Sequence, residues 1–101
     1  MPLIRIEDLK DDHFQMIEEM ASTGFPPGDV AEVLEIDAEI FNEAFNNKNS
    51  DVYKRYRKGY LSSELKLRQR IFKDAANGSS PAQTLAKKIL DDLSYKLANN
   101  G

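Results

Sequence analysis

From Asp51 to Asn77 the chain runs without a proline and with one glycine, Gly59, and it then breaks at Gly78-Ser79-Ser80-Pro81 before a second proline-free run begins. A stretch of that length, rich in Lys, Arg, Leu and Glu and without period-2 alternation, reads as one long helix. Gly78 is its C-terminal stop, Ser80 the N-cap of the next helix and Pro81 that helix's first residue. Two helices joined by so few residues run antiparallel, so residues 50–101 form a helical hairpin. The last helix carries one apolar stripe, Ala82, Leu85, Ala86, Ile89, Leu90, Leu93 and Leu97, which a single antiparallel neighbour can cover. The central helix carries two. Tyr53, Tyr56, Tyr60, Leu67 and Ile71 form one, and Leu61, Leu65 and Phe72 form another, rotated by roughly 130° on an ideal helix. One hairpin partner cannot cover both. The second stripe is therefore either covered by the N-terminal half within a monomer or used between subunits. Arg57, Glu64 and Arg68 project between the stripes, with Glu64 and Arg68 four residues apart, and suit ionic pairing at a subunit boundary.

Residues 1–49 read as three shorter helices. Leu9, Phe14, Met16, Ile17, Met20 and Ala21 recur at helical spacing between Asp8 and Thr23, with Gly24 as the stop. After Phe25-Pro26-Pro27-Gly28, the run Val30 to Leu34 is a short second helix. Asp37 caps a third, Ala38 to Phe45, with Ile40, Phe41, Ala44 and Phe45 facing inward. Residues 27–46 match the apolar skeleton of a helix-turn-helix. Ala31 is the small residue where two steeply crossing helices touch, and Ile36 is the apolar plug of the turn. The usual turn glycine is replaced by Glu35. The expected fold is all-α: a helix-turn-helix-like three-helix unit, 1–49, followed by a long antiparallel hairpin, 50–101.

Charge separates the two halves. Residues 1–50 hold three cations against twelve carboxylates, whereas residues 51–77 hold eight cations against three carboxylates, all within a net charge of −3. Such a division implies a basic binding face, or two faces that neutralise each other. The third helix, where a helix-turn-helix would read DNA, displays Asp37, Glu39 and Glu43 beside Asn42 and Asn46. Each carboxylate at ~7 Å from a phosphate costs about 0.6 kcal/mol in water, so three of them roughly outweigh what a helix N-terminus returns. Asn42 and Asn46 suit adenine but cannot offset that alone. A second basic surface is available on the central helix, where Arg55, Lys66 and Lys73 fall within about 20° of one another and Arg70 lies nearby.

Catalytic and metal chemistry find little to work with. No cysteine is present, and no Walker-type glycine loop or nucleophile elbow occurs. His13, the single histidine, lies between carboxylates and Phe14 as an ordinary surface residue, an incomplete metal site. Asp91-Asp92 follow Lys87-Lys88 by four residues and read as a solvated, neutralised face. Tyr53, Tyr56 and Tyr60 suit a packed stripe better than a base-stacking platform. The expectation is a non-enzyme without cofactor or metal. With no signal-like or membrane-spanning apolar run, the expected compartment is the cytoplasm. At 101 residues and 41% apolar content the core is small, which favours self-association.

The order of parts resembles the terminase small subunits of tailed phages and prophages. The resemblance rests on Ala31, Leu34 and Ile36 for the family's Ala-x-x-Leu-x-Ile, on Tyr56 and Gly59 for its Tyr-x-x-Gly, and on Ala75 and Gly78 for its Ala-x-x-Gly, spanning the first helix to about Leu97. It implies recognition of DNA for packaging, a ring-like homo-oligomer assembled through the hairpin, and delivery of DNA to a separate terminase large subunit. Two other readings stand beside it. One is a protein-interaction module whose acidic half docks a basic partner. The other is a prophage transcription regulator, which would need a basic recognition helix.

Overall fold

A computed structural model describes residues 3–100. They form five α-helices, α1 (Asp11–Ser22), α2 (Pro27–Leu34), α3 (Ala38–Asn46), α4 (Asp51–Ala76) and α5 (Ser80–Asn100), preceded by a single 3-10 turn at Ile6–Asp8. No strand occurs among the described residues. An isolated parallel bridge joins Ile4 and Ile36. The chain clusters into two units, one ending at Glu64 and one beginning at Leu65, so the first part of α4 belongs with the N-terminal helices.

Local chemistry sets the helix boundaries. The first helix starts at Asp11 rather than Asp8, because the Lys10 backbone N–H donates to His13 Nδ1 at 2.9 Å and fixes the entry there. His13 is thus a half-buried cap and not the solvated surface residue expected from its neighbours. Gly24, at φ 90°, ends the helix. Asp37 caps α3 as expected, its Oδ1 accepting from Glu39 N–H at 3.0 Å and Ile40 N–H at 3.2 Å. Ser50 caps α4 by accepting from Tyr53 N–H. At α5 the cap lies one residue earlier than expected. Ser79 Oγ accepts from Ala82 N–H, which places Ser80 at the first helical position and Pro81 at the second.

The core of the first unit is Ile17, Met20, Val30, Ala31, Leu34, Ile36, Phe41 and Val52, with Phe14, Ala44, Phe45 and Tyr56 packed around it. Ile40, expected to face inward, is 48% exposed, and Met16 of the apolar run in the first helix is 38% exposed. Each sits one residue before a fully buried neighbour, Ile17 or Phe41, and about 100° of helical rotation turns it aside.

In the second unit the end of α4 and α5 form an antiparallel hairpin. Gly78 takes φ 99°, Ser79 N–H returns to Asp74 O at 3.0 Å, and Gln83 Nε2 donates to Ala75 O at 3.1 Å. Its described interior is thin, with Ala82 and Ala86 buried and Ile71, Ala75 and Ile89 half-buried.

Candidate functional site

The residues expected to contact DNA fall in three environments. Arg55 is turned onto α1, where its Nε lies 2.5 Å from Glu18 Oε1 and its guanidinium carbon sits 5.4 Å from the Phe14 ring centroid. Lys58 Nζ reaches the same carboxylate at 3.5 Å. The Arg55 hydrogen bond holds the Glu18 carboxyl below the usual glutamate range, against the opposing effect of burial. Arg55 therefore serves an internal ion pair. Lys66 and Lys73 stand exposed on the second unit, and Arg70 between them pairs with Asp74 one turn along at 3.1 Å. Asn42 and Asn46 are exposed on α3, together with Glu39 and Glu43.

The residues expected at a subunit boundary are largely on the surface. Leu61 and Leu65 are about half exposed and Phe72 somewhat less. Arg57 lies over the exposed Tyr60 ring, its guanidinium carbon 5.4 Å from the centroid. Glu64 is half-buried in the first unit, while Arg68 lines a small pocket of about 90 Å³ in the second with Ile89, Asp92 and Leu93. The α5 stripe departs from expectation. Leu85, Leu90, Leu93 and Leu97 remain half exposed or more, because the stripe's buried contacts are the short Ala82 and Ala86 while the longer side chains stay on the surface. Leu65, Leu67 and Phe72 of α4 are exposed as well.

The first unit carries a different surface. The turn between α2 and α3 is Glu35-Ile36-Asp37, and Glu35 adopts φ 58°, ψ 42°, the left-handed conformation that a glycine usually supplies there. Ile36 is driven inward, to 3% exposure, and Ala31 lies buried across from it. Two hollows flank Gly28 and Ala38. One, of about 270 Å³, is floored by Pro27 and Phe41 and edged by Glu39 and Asn42. The other, of about 420 Å³, is floored by Ala31 and Ile36 and edged by Glu32 and Glu35. Between Pro27 and Asn46 there are six carboxylates and no cation.

Other candidates settle into structural roles. Phe45 meets the rings of Tyr53 and Tyr56 edge-on at 5.8 and 5.1 Å, and Tyr56 Oη donates to Phe25 O at 2.7 Å. Burial pushes the Tyr56 phenol up. Lys87 pairs with Asp91 at 3.5 Å. Among the described residues no group of three His, Cys, Asp or Glu side chains is placed to hold a metal, and no helix is long and apolar enough to cross a membrane. Two residues that organise the site were not singled out as such from sequence. Glu18, the anchor of Arg55, had no local signal. Gly59 did have one, as the only glycine in the long helix, and its Cα packs directly on the α1 backbone at Glu18. No known protein family matches the chain, and neither a curated protein nor a solved structure matches it.

Proposed function

We propose that the chain is a non-catalytic, DNA-binding assembly protein of the kind that terminase small subunits represent, with a helix-turn-helix-like unit serving as scaffold and the hairpin serving as the working surface. The observation that supports this most is on the end of α4, where the exposed apolar pair Leu65 and Phe72 lies beside the exposed cations Lys66 and Lys73. An apolar row bordered by cations suits a self-associating surface that also tracks a phosphate backbone. The acidic α3 does not suit the major groove, so DNA contact belongs to the hairpin and α3 contributes no base reading. A homo-oligomer would multiply weak backbone contacts, and a large terminase subunit would be the downstream partner.

The test is the salt dependence of binding to duplex DNA. Replacing Lys66 and Lys73 with Ala is expected to lower the magnitude of the log–log salt slope by about two, at ~0.9 per phosphate contact. Neutralising Glu39 and Glu43 to Gln is expected to strengthen binding. An unchanged slope in the lysine variant, or no wild-type binding at low salt, would remove DNA from the proposal. A second reading draws support from the six carboxylates between Pro27 and Asn46: the first unit is a docking face for a basic protein surface.

A further inference from the structure

We infer that the acid-edged hollows on α2 and α3 of one copy receive the basic-edged apolar row of α4, Leu65 and Phe72, from a second copy. Both surfaces are carried by the same chain, and they match in having an apolar middle and opposite charge at the edge. The two hollows have Gly28 and Ala38 in common, and Phe41 lines one while Ala31 and Ile36 line the other. Leu65 and Phe72 are two turns apart on one side of α4, about 10 Å along the axis, so they present two apolar knobs in line. Lys66 and Lys73 follow each knob by one residue, on the same flank, and the hollows are edged by Glu32, Glu35 and Glu39. This docking sets the lysine flank against carboxylates, whereas hairpin against hairpin would set lysine flanks together and hollow against hollow would set carboxylates together. The contact is head-to-tail, so each copy offers one hollow pair and one row, and the assembly grows until it closes as a ring or continues as a filament. It rests on the assembly reading above, and because it engages Lys66 and Lys73 it competes with phosphate for those two cations, while the association itself needs no DNA.

Charge exchange tests it by sedimentation velocity over a concentration series at modest salt, with far-UV circular dichroism checking that each variant stays folded. Glu32→Lys with Glu39→Lys, and separately Lys66→Glu with Lys73→Glu, are each expected to weaken association at least 10-fold, and an equimolar mixture of the two is expected to associate again. Leu65→Ala with Phe72→Ala, which leaves every charge in place, is expected to lose association as well. Wild type that stays monomeric at millimolar concentration overturns the inference, as does a hollow variant that associates like wild type, which would signal hairpin-to-hairpin pairing instead. DNA binding is read in parallel. The Glu32→Lys, Glu39→Lys variant is expected to bind DNA while monomeric, and an absence of DNA binding in all proteins would count against the DNA reading while leaving the association result intact.

Discussion

Gly59 is the residue whose replacement should test the packing of the first unit most sharply, because two opposing effects act on it and the structure decides between them. In the interior of a helix, Gly→Ala ordinarily stabilises by ~1 kcal/mol, through the lower entropy of the unfolded chain and better helix propensity. Here a methyl group at residue 59 would lie 2.8 Å from the Cα and carbonyl carbon of Glu18 and closer still to its carbonyl oxygen. Those atoms are α1 backbone and cannot rotate away, so α1 and α4 must separate. That separation strains Ile17 and Val52, which are fully buried in the same core, and weakens the Arg55–Glu18 pair. Overpacking of this kind costs about 1–3 kcal/mol and occasionally more. A contact on backbone belongs at the upper end, which leaves a net loss of about 1–2 kcal/mol after the helix gain. For a domain of this size that lowers Tm by roughly 5–15 °C. Gly28→Ala is the matched control, because nothing lies within 4 Å of the added carbon and its φ needs no glycine. It is expected to gain about 0.4–1 kcal/mol. Thermal melts of the three proteins under one buffer suffice. If Gly59→Ala melts at or above wild type, α1 does not pack on α4 as described.

Two further outcomes follow from local geometry. Because the Arg55 hydrogen bond lowers the folded pKa of Glu18, its stabilisation is complete above the unfolded glutamate range and fades as pH falls through the folded value. Glu18→Gln should therefore be less stable than wild type at pH 7, with the gap closing below about pH 4, as denaturant midpoints across pH will show. Glu35→Gly should stabilise the fold by about 0.5–1 kcal/mol, since φ 58° penalises any side chain, and an unchanged or lower denaturation midpoint would contradict the left-handed turn.

Helix limits were legible wherever a residue type has a mechanism at one position. Gly24 and Gly78 supply positive φ, Asp37 supplies an acceptor for orphan N–H groups, and Pro27 opens α2. Each depends on near neighbours and little else. What failed depended on distant ones. His13 looked exposed among carboxylates because its role is an acceptor for the backbone of Lys10, a feature periodicity does not carry. The Arg55 position on a basic stripe was sound helix arithmetic, yet the face of α4 at that level is met by Glu18 of α1. A stripe defined on one helix holds only where no other element packs on it, and Gly59 was the sequence's sign that one does.

The apolar skeleton of residues 27–46 and its surface charge carry separate information. Val30, Ala31, Leu34, Ile36 and Phe41 are buried together, and Glu35 holds the left-handed conformation between α2 and α3. None of these contacts involves the outer face of α3. Burial therefore constrains the crossing and leaves Glu39, Asn42 and Glu43 open to whatever partner the surface meets. Carboxylates there repel phosphate and attract cations at the same distance and with the same magnitude. The charge that argues against the major groove is therefore the charge that argues for a lysine-flanked helix, and the chain carries such a helix in α4 at Lys66 and Lys73.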